Sequence, residues 1–160
     1  MEIKTSRLQA WFSAFISLFI LMSLGSKPFG WMRNAACLPH LGCNTGFFGY
    51  DALTHFVGGV ALAIGLAWII RRYPRLHIFH REFLKNVFVI LAVAALIGVL
   101  WELLEYGFDY VRIVFFHMNL ASPNQMAQAG NSDTMGDLFF GLLGSFIAAA
   151  AMKAIDRDIF

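Results

Sequence analysis

The sequence predicts an all-α membrane protein, a bundle of four transmembrane helices with both termini in the cytoplasm. Three observations support this. Of 160 residues, 59% are apolar and only 14% charged, and mean hydropathy is +0.65, whereas a soluble domain carries about a quarter of its residues as Asp, Glu, Lys and Arg. Four stretches are apolar over the roughly 17–25 residues that a helix needs to cross a hydrocarbon core of about 30 Å. The basic residues gather at alternate ends of those stretches. The length fits one membrane domain, 1–160. The formal charge of +2 is small, and the composition fits neither a disordered chain nor a nucleic-acid-binding one.

The spans are predicted at about 8–24, 52–70, 86–106 and 134–152, with loops at about 25–50 and 107–132. Lys4 and Arg7 before the first span give it the outline of a secretory signal. The residues that follow it, Ser23-Leu24-Gly25-Ser26, make a poor cleavage site, so it is read as a retained helix. The second span is interrupted only by His55. The fourth ends in Ala148 to Ala151, with Lys153 just beyond.

Orientation follows from the excess of Lys and Arg in cytoplasmic loops. Lys4 and Arg7, then Arg71, Arg72, Arg75, Arg81 and Lys85, then Lys153 and Arg157 put nine of the twelve basic residues on one side. Lys27, Arg33 and Arg112 remain on the other. Both termini are therefore placed in the cytoplasm and the two long loops outside. In a bacterial inner membrane, the first loop would carry the only cysteines, Cys37 and Cys43, into an oxidising compartment. Their spacing suits a disulfide. A structural zinc site would want four ligands, and the loop adds only His40.

Ionisable residues within spans are expensive, about 2.5–3.5 kcal/mol each on insertion scales. Here they come as three pairs: Asp51 and His55 opening the second span, Glu102 and Glu105 closing the third, Asp133 and Asp137 opening the fourth. Spacings of three or four place both members of a pair on one helix face. With the predicted orientation, all three pairs meet at the outer surface. Their faces continue inward through small residues, Gly58, Gly59 and Gly65, then Ala94 and Gly98, then Gly141, Gly144 and Ala148. Such residues mark close helix packing in membranes, so the carboxylates are expected to face one another. The pair Gly58-Gly59 is read as a packing feature, not a nucleotide loop.

Taken singly, Asp51 and Asp133 suit N-caps, and His55 and Asp137 suit interhelical hydrogen bonds. The glutamates do not fit that scheme, because they are read as lying in the last turns of their helix, at its negative end. Arg33, Arg112, Lys27 and a charged His55 are too few to offset six acids (Asp51, Glu102, Glu105, Asp109, Asp133, Asp137). A bound cation is the favoured compensation. Protonated acids in an ion path and a structural polar cluster are the alternatives.

One histidine among carboxylates suits Zn, Mn, Fe or Mg and argues against copper. Asp51, His55, Glu105, Asp133 and Asp137 are the candidate metal ligands, and Glu102 and Glu105 the candidate catalytic residues, with Glu102 as base. His40 and His117 are weaker candidates, and His77 and His80 fall on the opposite side. The Glu-x-x-His pairs of ferritin-like di-iron proteins are absent. So are a Walker loop, a nucleophilic serine motif and a dinucleotide fingerprint, and no nucleotide cofactor is expected.

In order, Tyr50-Asp51-Ala52-Leu53-Thr54-His55-Phe56-Val57-Gly58-Gly59, Trp101-Glu102-Leu103-Leu104-Glu105 and Asp133-Thr134-Met135-Gly136-Asp137 resemble the YjdF-type family of predicted bacterial inner-membrane proteins. That family is similar to the VanZ-like proteins, which likewise pair an Asp-x-x-x-His-Phe helix start with later Glu-bearing and Asp-bearing helices. The resemblance covers about residues 50–144 and implies a fold and a site more than a reaction.

The expected function is a metal-assisted hydrolase or transferase acting on membrane lipids or lipid-linked substrates at the outer leaflet. One rival is a non-enzymatic subunit that binds a membrane protein partner or a second copy of itself, for which the seventeen phenylalanines and the segment 108–116 would supply surface. Another is an ion- or proton-coupled transporter. It is disfavoured because only Ser145 continues the polar face of the fourth span beyond Asp137 and no inverted repeat is visible.

Overall fold

The structure is a computed structural model that describes residues 4–25, 37–38, 42–43, 50–73, 82–118, 127 and 130–156. Among the described residues it contains four helices, α1 (Thr5–Gly25), α2 (Tyr50–Arg72), α3 (Phe83–Val114) and α4 (Asn131–Ile155). Each is long and apolar enough to cross a membrane. Between α1 and α2 lie two short strands, β1 (Cys37–Leu38) and β2 (Gly42–Cys43).

The helices pack in the order α1, α2, α4, α3. At the centre, α2 and α4 come into backbone contact. A Cβ at Gly59 would strike the Gly141 carbonyl, and one at Gly144 would strike the carbonyl of Phe56. The Ser145 hydroxyl, fully buried, bridges the same seam by donating to the Gly59 carbonyl oxygen at 2.9 Å. Glycines serve here as the sequence implies, because apolar lipid gives helices no hydrophobic reason to associate and van der Waals contact has to supply it.

The other face of α2 receives α1. Phe19 packs on Gly58 and Phe12 on Gly65, so rings seven residues apart on one helix seat on glycines seven residues apart on its antiparallel neighbour. Phe12 also stacks on Trp68 at a centroid distance of 5.8 Å. At the far end of the bundle, Arg71 of α2 pairs with Asp156, just past α4, at 3.1 Å.

Two sequence expectations change. The third helix does not stop near residue 106: α3 runs unbroken to Val114, so residues 107–114 extend the helix instead of beginning a loop. Its 32 residues span roughly 48 Å at 1.5 Å per residue, well beyond a hydrocarbon core. The extension is anchored by Asp109, which is buried and accepts hydrogen bonds from Arg112 at 3.1 Å and from the backbone N–H of Ala127 at 2.7 Å. Second, neither aspartate caps its helix. Asp51 is the second residue of α2, and Gly130, at φ 125°, holds the cap position of α4. Both aspartates still lie in a first turn, where the positive dipole end favours a carboxylate.

The two strands pair antiparallel with Cys37 opposite Cys43. Directly opposed residues in such a ladder have Cα atoms roughly 4.5–5.5 Å apart, inside the roughly 4.4–6.8 Å range of disulfides. Without reductant the pair is expected to resist maleimide labelling, and labelling of both thiols would show them free. The α2–α4 seam makes a second prediction. Gly59→Ala is expected to lower the thermal midpoint in detergent, at a cost of roughly 1–3 kcal/mol or more from overpacking. Gly107→Ala, with open space around it, is expected to hold or raise the midpoint.

Candidate metal centre

The α2–α4 contact places the first turns of both helices side by side, and the side of α3 that leans on α4 adds the third component. Asp51, His55, Glu102 and Asp137 are all buried, each no more than 9% exposed. All six residues singled out by the three motifs come together. Their donor atoms form two sets: one oxygen or nitrogen from each of His55, Glu102 and Glu105, and one oxygen from each of Asp51, Asp133 and Asp137, lie within 4.8 Å of one another within each set. The sets adjoin through the imidazole. His55 Nε2 is 3.7 Å from Asp137 Oδ2 and 3.9 Å from Asp51 Oδ1.

These separations can be compared with what an ion requires. Ligand atoms at about 2.0–2.2 Å from one ion are at most about 4.4 Å apart. Each set is thus small enough for its side chains to draw in on a common ion by changes of rotamer.

The glutamates differ in their surroundings. Glu105 Oε1 accepts a hydrogen bond from the Trp101 indole N–H at 2.7 Å, which fixes the carboxylate in the groove one turn below. Among the described residues its Oε2 is buried without a hydrogen-bond partner, and the buried Glu102 carboxylate has only the Thr134 hydroxyl within hydrogen-bonding reach. The Thr134 hydroxyl, which serves Glu102 as a hydrogen-bond donor, also lies 3.5 Å from the Gly130 carbonyl oxygen. Buried carboxylate oxygens so sparsely partnered are costly, since a buried polar atom left unpaired costs about 1–3 kcal/mol and more if charged.

The dipole argument for the glutamates does not survive, because α3 continues past them to Val114. They sit in the body of a helix, and burial is what makes them expensive. Arg112, one of the expected compensating cations, pairs with Asp109 at 3.1 Å. Arg33 and Lys27 lie outside the described residues, as do His40, His77 and His80. His117 is exposed and belongs to neither donor set.

Sequence reasoning missed Trp101 as a component of the site. The signal was present: Trp101 and Glu105 are four apart on α3, a spacing at which helix side chains touch. Glu102, read as a base standing free of the ion, falls inside a donor set with His55 and Glu105.

A four-helix membrane bundle with a buried carboxylate and histidine cluster at one end is thus the class of protein that the fold and site define. The chain belongs to the family described as "Predicted membrane protein (DUF2238)", whose model matches residues 2–158. It is an integral membrane protein in contact with lipid. The match reaches well beyond the three motifs, so the first span and the cysteine loop belong to the family pattern too. No curated protein and no solved structure matches the chain.

Replacing a buried charged group with an apolar one of similar volume is often neutral or stabilising. Glu102→Met is therefore expected to raise the thermal midpoint of chelator-treated protein by a few degrees. A fall would show that the carboxylate is held by the fold itself.

Proposed function

We propose that the cluster binds divalent metal and that the protein uses it in hydrolysis or group transfer on a lipid or lipid-linked substrate. The observation that carries this reading is the burial of two glutamates in one donor set with His55, where among the described residues Oε2 of Glu105 has no hydrogen-bond partner and Glu102 has only the Thr134 hydroxyl beside it. A structural polar cluster would be selected to satisfy such atoms. A cation satisfies them and also offsets the mutual repulsion of five carboxylates. The set containing His55 suits Zn, Mn or Fe, and the all-carboxylate set suits Mg or Mn.

A metal in this position would polarise a phosphoryl or acyl oxygen and activate a water. The protein's own groups supply the rest. His55, Glu105, Asp51, Asp133 and Asp137 hold the ion or ions, and Trp101 orients Glu105. Glu102 either joins them or accepts the proton from the attacking water. In this reading the end of the bundle that holds the cluster faces the extracytoplasmic side of a bacterial inner membrane, which the positive-inside distribution of Lys and Arg supports.

A partner-binding subunit is the second reading, and α3 favours it. Beyond the cluster, Tyr106 and Tyr110 on α3 and Phe115 and Phe116 just past its end are exposed. A transport path gains no support, since the next polar group inward on α4, Ser145, is engaged with the Gly59 carbonyl.

The test is elemental mass spectrometry on full-length protein purified in detergent without chelator. One to two ions per chain are expected. His55→Ala and Glu105→Ala should lose them while keeping wild-type helicity by circular dichroism. Metal-free wild-type protein would overturn the metal reading. Wild-type envelope lipid composition in cells carrying the two variants would overturn the enzymatic one.

A further inference from the structure

Directly beneath the cluster, on its membrane side, the bundle is not filled. A cavity of about 220 Å³ is bounded by all four helices. An apolar cavity of roughly 150 Å³ is already enough to hold an aromatic guest. The head of this one is polar: His55 and Asp137, 9% and 4% exposed, line it and stand 3.7 Å apart. Its body is apolar, with Leu62, Ala94, Gly98 and Leu138 among its walls. Gly98 leaves room that a side chain would fill.

The cavity exists because α1 and α3 pack on different partners, α2 and α4 respectively. Between them the Phe19 ring meets Trp101 edge-on at a centroid distance of 5.4 Å. Trp101 is also the residue that binds Glu105, so the aromatic contact sits between the apolar body and the carboxylates. Ile97, on the wall contributed by α3, is 38% exposed. In a membrane-spanning helix that exposure is to lipid, so the cavity wall at Ile97 borders the bilayer.

The geometry points to this cavity as the binding site for the hydrocarbon chain of an amphiphile, whose polar head reaches the cluster through His55 and Asp137. The chain enters from the bilayer between α1 and α3, past Phe19 and Trp101. An apolar pocket ending in a few convergent polar groups is the usual form of a ligand site. Here the polarity runs along one axis, as it does in a single-chain lipid. The inference rests on the reading of the cluster as the site that takes the polar head, and it adds the substrate class: a molecule with at least one linear alkyl, acyl or prenyl chain.

The experiment uses full-length protein in lipid nanodiscs and hexadecyl phosphate carrying a mid-chain diazirine. After illumination, adducts are mapped by peptide mass spectrometry, with metal content measured on the same preparations. Labelling is expected on the cavity residues Leu62, Ala94 and Gly98. Gly98→Leu should abolish it, because the new side chain fills the cavity and its Cβ need displace only the tip of Leu138, 2.8 Å away. Gly107→Leu, on an open part of the same helix, should keep it. Ile97→Trp, at the lipid-facing rim, blocks the entrance without touching the core and provides the same test should Gly98→Leu not fold. Adducts confined to outward residues such as Leu96 and Leu100, alike in every variant, would overturn the assignment. Cavity labelling lost in Gly98→Leu but found on a metal-free wild type would support the chain site and defeat the metal reading.

Discussion

The backbone contact between α2 and α4 is the constraint on which the rest depends. Gly59 against Gly141 and Gly144 against Phe56 set the separation and register of the two central helices, and Ser145 locks them with a hydrogen bond to the Gly59 carbonyl. Once these points are in contact, the first turns of both helices are forced together. Asp51, His55, Asp133 and Asp137 then have no choice but to meet. The acidic cluster is therefore a consequence of small-residue packing one to three turns away, and its assembly costs the helices nothing beyond the burial of the charges themselves. A side chain at the seam would separate the donor sets before it altered any ligand.

The outer helices follow different rules. The α1 helix binds by rings on glycines, Phe19 on Gly58 and Phe12 on Gly65, which fixes its register on α2 and leaves its remaining faces to lipid. The α3 helix leans on α4 and brings Glu102 and Glu105 to the site as a pair. Because neither outer helix fills the space in front of the α2–α4 seam, a cavity opens beneath the carboxylates. Packing that is tight in the centre and loose at the front yields a polar site with an apolar antechamber. At the far end the Arg71–Asp156 pair ties α2 to α4 again, so the central pair is held at both ends.

Much of this was legible in the sequence. The four spans follow from hydropathy, and the six site residues follow from ionisable groups recurring at helical spacing where lipid makes them costly. The glycine stripes correctly indicated which faces pack. The limits are equally physical. The third span was expected to end near residue 106, yet α3 runs on because Asp109 and Arg112 pair on the next turn and Asp109 gains the Ala127 N–H. That tertiary bond leaves no mark in local periodicity. The dipole argument for Glu102 and Glu105 failed with the helix boundary on which it rested. The division of the acids into two donor sets, and the cavity below them, depend on distances between helices that no spacing along one helix can supply.

The clasp at Asp109 also bears on how the bundle is closed. The connection from α3 to α4 covers residues 115–130, and the entropic cost of closing such a loop grows only slowly with its length. A long connection therefore fixes little about where the next helix begins. The bond from Ala127 to Asp109 changes that by dividing the connection: only residues 128–130 separate the tether from the start of α4. The position of Asp133 is thus indexed to the extension of α3 through a link of few residues. Residues inserted before the tether would be absorbed as slack, while residues inserted after it would shift the register of α4 against its neighbours. The carboxyl group of Asp109, outside both donor sets, in this way meters the length of chain from which the site is built.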